Sequence, residues 1–340
     1  MSKLDDLMKE INKEFKGDII RKGVSSYDYE RIPFTSPRLN YITFGGVPVG
    51  KLIEFYGEQH GGKTTTSLDV VANYQHMDNA RTVLYIDAEN TLDVVWAGKL
   101  GVDVDDMIIM NPTNQGAETI FEKTLQLIDT GEIGLVVIDS LGVLVSNQAL
   151  EKSVEEKTYG GIAMALTNFS KKAEMLCHKH NCTLIGINQI RDDMNSQYGG
   201  TTTTGGRAWK HNVAMRMEFR QGKYIDSKYK DLSRGAENPA GQYVQVAMTK
   251  NKTCPPTRRT GFYTLRFDIG IDYLFDLTEL CLKYGIIEQS GAWFSLVNPN
   301  TGEQITKVQG QSAVYTFLED NADVLADVEQ WVNEKLQEAE

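Results

Sequence analysis

Between Phe55 and Asp69 the chain reads FYGEQHGGKTTTSLD, in which Gly57, Gly62, Lys63 and Thr64 satisfy G-x-x-x-x-G-K-[ST]. No other short stretch constrains the fold as tightly. An apolar run, KLIEFYG, precedes it, and TTTSLDVVANYQHM follows with helical spacing. Strand, glycine-rich loop and helix in that order present backbone N–H groups and a helix N-terminus to a phosphate chain. The predicted cradle comprises Gly57, Glu58, Gln59, His60, Gly61, Gly62, Lys63, Thr64 and Thr65. Lys63 would bridge phosphate oxygens and the Thr64 hydroxyl would hold Mg²⁺. The motif leaves open what the nucleotide is spent on.

The same alternation continues downstream. TVLYIDAEN, LVVIDS and TLIGINQIR read as strands, separated by GAETIFEKTLQLID and a long helical segment ending near Cys177. Strands alternating with helices predict an α/β fold, a mostly parallel sheet covered by helices on both faces. QYVQVAMTKNKT and TGFYTLRFD add strand-like runs. From Asp272 the pattern becomes a helix, the hairpin WFSLVNPNTGEQITKV and two more helices. The expected divisions are an N-terminal helix and linker over 1–32, a core over 33–271 and a small α+β domain over 272–340. In the first, Leu4, Leu7, Met8, Ile11 and Phe15 share one helical face. That face packs either on its own core or on a neighbouring subunit.

Composition narrows the class. The 340 residues are 41% hydrophobic and 24% charged, as in an ordinary globular protein, and predict about two domains. No apolar run approaches the roughly 18 residues that span a bilayer. The charged start MSKLDDLMKEINKEF is unlike a secretory signal. Cys177, Cys182, Cys254 and Cys281 form no disulfide framework, so the expected compartment is the cytoplasm. CHKHNC, from Cys177 to Cys182, crowds four potential ligands into six residues and reads as a helix end entering a strand rather than a zinc site. The net charge of −11 is concentrated from Asp272 onward, where Lys283, Lys307 and Lys335 are the only bases. The main body is nearly neutral and can still carry a local basic groove for a polyanion.

In parallel sheets, ligands sit at the carboxyl ends of the strands. Asp139, with Ser140 beside it, closes the buried run LVVIDS and supplies the carboxylate that a Mg²⁺–phosphate site needs. Glu89, at an adjacent strand end, can orient and deprotonate a water for attack on a γ-phosphoryl group, which points to hydrolysis. Gln189, where a strand meets the long segment RDDMNSQYGGTTTTGGRAW, can report the presence of that phosphate to the segment.

These residues resemble the bacterial RecA recombinase family. GEQHGGKTT, YIDAENTLDVVWAGKLGVD, VVIDSLGVL, INQIR, TTTTGGRAWK, KNKT and GAWFS occur in the family's order, over roughly Leu4 to Leu336. The resemblance implies an ATPase that polymerises as a helical filament on single-stranded DNA and exchanges strands with duplex DNA. It assigns Glu89 to water activation, Asp139 to Mg²⁺ and Gln189 to the nucleotide relay. Asp93 would contact adenine, with Trp96 stacked on the ring in place of the usual tyrosine. Lys250 and Lys252 would reach across a subunit interface to the neighbour's ATP. For DNA it implies two loops, one with Tyr159 and Gly160, the other with Arg191, Met194, Tyr198, Gly205 and Gly206, and Lys171 and Arg207 as phosphate partners. Glycines admit phosphates to backbone N–H groups, and an apolar or aromatic side chain can wedge between bases.

The chain also departs from the family. His60 and Gly61 stand where two serines are common, and Glu58 where proline is common. AWKHNVAMR replaces an Ala-Leu-Lys-Phe-aromatic run, and Asp192 and Asp193 place negative charge beside Arg191. A ring-forming ATPase of the same core, such as a helicase, is the alternative assembly. A metabolite kinase is the remaining class, and it has no use for the glycine–threonine segment or the paired lysines.

Overall fold

The computed structural model describes residues 3–14, 20, 29–152, 161–192, 201–233 and 235–338. After α1 (Lys3–Glu14), the strands β1 (Arg31–Ile32) and β2 (Val47–Pro48) pair antiparallel around α2 (Pro37–Thr43). Ser36 starts α2, its hydroxyl accepting from Leu39 N–H, with Pro37 pre-set for the first turn. The core then runs β3 (Leu52–Gly57), α3 (Lys63–Gln75), β4 (Thr82–Asp87), α4 (Val94–Lys99), β5 (Met107–Met110), α5 (Ala117–Asp129) and β6 (Ile133–Asp139). It continues through α6 (Asn147–Glu151), α7 (Gly161–His180), β7 (Thr183–Asp192), β8 (Thr201–Thr203), α8 (Gly206–Asn212) and β9 (Met215–Ile225). The short β10 (Asp231–Leu232) then precedes β11 (Gly241–Asn251), β12 (Thr260–Arg266) and β13 (Gly270–Ile271).

These strands form one sheet in the order β13-β12-β11-β9-β3-β7-β6-β4-β5, with β10 on β9 and β8 on β7. From β9 to β5 the pairing is parallel, and beyond β9 it turns antiparallel. The parallel strands are apolar along most of their length because both faces are covered. In β6, Leu135 and Val137 join one buried cluster, with α3 and Phe55, while Val136 and Ile138 join another, with α5 and α7. CHKHNC resolves into the end of α7 and the approach to β7, as its pattern predicts.

The eleven-residue β9, beside β3, is not among the strands expected from the sequence. Its pattern is nonetheless present: Met215, Met217 and Phe219 are buried, alternating with the polar Arg216, Glu218 and Arg220.

The C-terminal part carries α9 (Tyr273–Lys283), the antiparallel strands β14 (Ile287–Ser290), β15 (Trp293–Val297) and β16 (Gln304–Gln309), then α10 (Gln311–Asp320) and α11 (Ala322–Glu338). It has its own apolar cluster around Leu280, Phe294, Leu318 and Trp331. A buried carboxylate, Asp276 on α9, fastens it to the core by accepting from the Thr264 N–H and hydroxyl on β12. Among the described residues no helix is long and apolar enough to cross a membrane. Among the described residues, α1 buries none of its side chains, and Leu4 is 60% exposed.

Candidate nucleotide site and nucleic-acid segment

The loop between β3 and α3 is shaped by steric limits. A Cβ on Gly57 would lie 2.0 Å from the Phe219 carbonyl oxygen, so β9 leaves room there for glycine alone. Gly62, at φ 91°, caps α3, and beneath it the Tyr263 hydroxyl bonds Thr66 at 2.8 Å. Lys63 is folded into the cradle, donating to the Gly57 carbonyl at 3.2 Å and the Glu58 carbonyl at 2.5 Å. Burial pushes its ammonium below the usual lysine range, against the pull of Asp139, Glu89 and Glu58. Glu58, Gln59, His60 and Thr64 are exposed, Thr65 is half-buried, and Gly61 is buried.

The ends of β4, β6 and β7 converge beside this loop. The Thr64 hydroxyl donates to Asp139 Oδ2 at 2.7 Å, and the Tyr85 hydroxyl donates to the same oxygen at 3.0 Å. Burial raises the Asp139 carboxyl above its ordinary value, and these two donors pull it back. Ser140, joined to Asp139 by a cis peptide, donates to Glu89 Oε1 at 2.6 Å. Gln189 donates its amide to that oxygen at 3.2 Å. Glu89 is thus held from β6 and β7 together, and among the described residues its Oε2 takes no hydrogen bond.

Asp87 builds the turn that carries Glu89. Its carboxylate accepts from Thr91 N–H at 3.1 Å and Leu92 N–H at 3.0 Å, a role with no counterpart among the sequence expectations. Asp93 caps α4 by accepting from Val95 and Trp96 N–H groups, and Trp96 is half-buried against the core. Trp96 lines a cavity of about 450 Å³ with His60, Gly61, Gly62, Lys63, Thr64 and Thr65. Tyr224, Gln242, Leu265 and Phe267 complete that cavity. None of these four is anticipated by the sequence, because they lie on the antiparallel flank, far from the motif.

Lys250 and Lys252 stand at the end of β11, tied to α8. Lys250 donates to the carbonyls of Lys210 at 2.7 Å and His211 at 2.8 Å, and Lys252 donates to His211 at 2.8 Å. They satisfy the otherwise orphaned carbonyls of a helix C-terminus. Burial, with the charges of Lys252 and Arg216 adding to it, pushes Lys250 down to about 8. Neither lysine lines the nucleotide cavity of its own subunit.

Of the residues expected at DNA, Tyr159, Gly160, Met194 and Tyr198 lie outside the described residues. Arg191 is exposed on β7 and donates to the Gly142 carbonyl at 2.8 Å, two residues past Ser140. Gly205 and Gly206, at φ 102° and 68°, turn the chain into α8, and a Cβ on Gly205 would meet Leu166 at 2.2 Å. Arg207 follows, exposed, in the first turn of α8. Lys171 is exposed on α7 next to Ser170, whose hydroxyl accepts from Asn212 at the far end of α8 at 2.8 Å. Buried Glu54 of β3 pairs with Arg216 of β9 and accepts from Asn188 of β7 at 3.0 Å. Asn188 also donates to the Thr204 carbonyl at 2.8 Å, so the strand that carries the P-loop is bonded to the start of the α8 turn. Of this cluster, only the charged residue inside the apolar run KLIEFYG and the polar strand end at Asn188 are visible in the sequence, while the pairing with Arg216 is not.

A phosphate cradle at the end of a parallel strand, with a paired hydroxyl and carboxylate and a second carboxylate held beside it, defines a P-loop nucleotide-binding protein. The comparisons place it more closely. Residues 2–272 match the family model of the RecA N-terminal domain, and residues 275–337 that of the RecA C-terminal domain. The protein RecA of Fusobacterium nucleatum is 35% identical over 335 residues, covering 97% of this chain and 84% of its own length. The protein RecA of Caulobacter vibrioides is 32% identical over 341 residues, covering 99% and 90%. That of Clostridium perfringens strain SM101 is 34% identical over 295 residues, covering 86% and 78%. The chain belongs to the RecA family.

Proposed function

We propose that this chain is an ATP-dependent DNA recombinase. In this reading it forms helical filaments on single-stranded DNA in the cytoplasm and pairs that strand with duplex DNA. It hydrolyses ATP at subunit interfaces in response to DNA. The observation that carries the reading is the bond from Gln189 to Glu89 at 3.2 Å. It joins the hydrolytic carboxylate to the strand that runs directly into the DNA segment, so each can bias the other.

Thr64 and Asp139 fit Mg²⁺, since they bring a hydroxyl and a carboxylate, both hard oxygen donors, together in one place. Bound there with ATP, the ion supplies charge neutralisation on the phosphates. Backbone N–H groups from Gly57 to Thr65 and the Lys63 ammonium hold the phosphate oxygens. Trp96 and Asp93 bracket the base. Ser140 and Gln189 fix Glu89 through Oε1, which leaves Oε2 to orient a water and take its proton. Lys250 and Lys252 of the next subunit meet the γ-phosphate, their remaining N–H groups being available while α8 carbonyls hold the others.

Residues 33–271 carry this chemistry, 1–32 supply the arm, with the uncovered face of α1 docking on a neighbour, and 272–340 form the acidic tail domain. Arg191, Gly205, Gly206, Arg207 and Lys171 serve DNA, with Tyr159, Gly160, Met194 and Tyr198. The test is phosphate release with and without single-stranded DNA, followed by electron microscopy. A rise on adding DNA together with open helical filaments is expected. An unstimulated rate, or closed rings, would overturn the reading.

A further inference from the structure

The departure at His60-Gly61 has a structural counterpart on the antiparallel flank of the sheet. His60 sits at φ 59°, a left-handed conformation that costs a side-chain-bearing residue free energy. Its carbonyl accepts a hydrogen bond at 2.9 Å from the amide of Gln242, a buried residue at 4% exposure on β11. Gln242 is in turn oriented by Gln221 of β9, whose amide donates to Gln242 Oε1 at 2.8 Å. That second bond fixes which end of the Gln242 amide faces the P-loop, so the donor points at His60.

The backbone is bent to make this reach. The β9–β11 register shifts between Gln242 and Val244, with Gly222 and Lys223 of β9 opposite Tyr243 alone. A bulge of this kind re-aims the neighbouring side chains. A Cβ on Gly222 would lie 2.8 Å from the Tyr243 carbonyl oxygen, so the bulge needs glycine at that position. Gln242 also lines the cavity between the loop and Trp96, so it touches the space a nucleotide would fill.

We propose that Gln242 is a positioning residue for the nucleotide: a strap that holds the P-loop peptide at His60 in its left-handed conformation and so presets the phosphate cradle. The inference rests on the reading of this loop as the nucleotide site. It explains how a P-loop with histidine at this position keeps a backbone shape that glycine would adopt unaided. Holding the loop before binding spares the nucleotide the cost of ordering it.

The experiment is a double-mutant cycle read by fluorescent ADP binding and by the kcat and KM of hydrolysis. Gln242→Met keeps the volume and removes the donor. It should weaken ADP binding about five- to tenfold, the worth of one such bond, and raise KM with little change in kcat. Gln242→Glu keeps an acceptor for Gln221 but cannot donate when ionised, and should weaken binding at least as much. Whatever His60→Gly does by itself, on that background Gln242→Met should cost little further affinity, because glycine does not need the strap. Additive effects of Gln242→Met and His60→Gly would overturn the proposal, as would unchanged ADP affinity in Gln242→Met. Failure of the parent chain to bind ADP would overturn the reading of the site along with the strap. The absence of a further loss on the His60→Gly background also separates the strap from a general loss of folding, which that substitution would not prevent.

Discussion

The two halves of the proposed ATP site are held in different ways. On the parallel side the bonds run between side chains in two triads, Thr64 and Tyr85 on Asp139 and Ser140 and Gln189 on Glu89, adjoining at the Asp139–Ser140 peptide. On the antiparallel side, Lys250 and Lys252 bond to backbone carbonyls at the end of α8. The first arrangement fixes a carboxylate before any substrate arrives. The second keeps two ammonium groups satisfied without committing them, since a water or a phosphate oxygen can replace a carbonyl with no rearrangement of other side chains. A catalytic group that serves its own subunit gains from the first arrangement. One that serves a neighbour must tolerate life before assembly, and gains from the second.

The sharpest way to break this contrast is to separate the halves into different subunits. Lys250→Ala is expected to cut DNA-stimulated hydrolysis on the order of 10³–10⁵-fold, the effect of removing a charge that stabilises the phosphoryl transition state. Lys63→Ala should be equally inactive alone. Mixing the two should restore measurable phosphate release, because an intact cradle can then meet intact lysines. If no mixing ratio restores activity, both halves belong to one subunit and the contrast fails.

Within the parallel half, Glu89→Gln should lower kcat by about 10²–10⁴-fold while ATP is still bound, because the amide keeps the partners of Oε1 but cannot take a proton. Filter binding of ATP beside single-turnover hydrolysis checks this. Weakened ATP binding of similar size would mean that Glu89 holds the nucleotide instead of activating water.

How much of this arrangement is legible in the sequence follows the same division. The parallel strands and their polar ends are readable because each is a local pattern, an apolar run closed by Asp139, Glu89 or Gln189. The antiparallel flank is not. β9 hides its alternation in the unusual AWKHNVAMR context, and Tyr224, Gln242, Leu265 and Phe267 reach the cavity only through sheet pairing. Lys250 and Lys252 are recognisable by resemblance alone, and nothing in KNK foretells that α8 holds them. The Glu54–Arg216 pair is equally hidden, since a buried charge is defined by partners distant in sequence.

Buried carboxylates supply a control for the site. Burial pushes Asp276 up to about 7, although Thr264 pulls it back, and unlike Asp139 it joins the tail domain to the core rather than facing a phosphate cradle. A raised carboxyl favours the folded state fully below the ordinary range near 4, and that contribution is lost as the pH rises through 7. Asp276→Asn keeps an acceptor for Thr264 without the charge. Its melting temperature relative to the parent chain should therefore be a few degrees more favourable at about pH 8 than at about pH 5, with hydrolysis unchanged. An equal difference at both values would show that Asp276 does not titrate in this window.

The smallest effect is expected at Gly61. Its φ is ordinary, so glycine is not required there by backbone conformation. A Cβ would instead lie 3.0 Å from the Phe219 carbonyl oxygen and 3.2 Å from that of Glu58, both backbone atoms with little freedom to retreat. The family's serine at this position implies that a slightly wider gap between loop and β9 is compatible with the fold, so the contact is a matter of tenths of an ångström. Gly61→Ala should accordingly raise the KM for ATP about two- to fivefold, with kcat within a factor of about two, since the loop shifts while Glu89 and its partners do not. A large fall in kcat would show that the loop and the Glu89 cluster move as one body. The nucleotide site would then be a single rigid unit rather than a preset carboxylate beside an adjustable cradle.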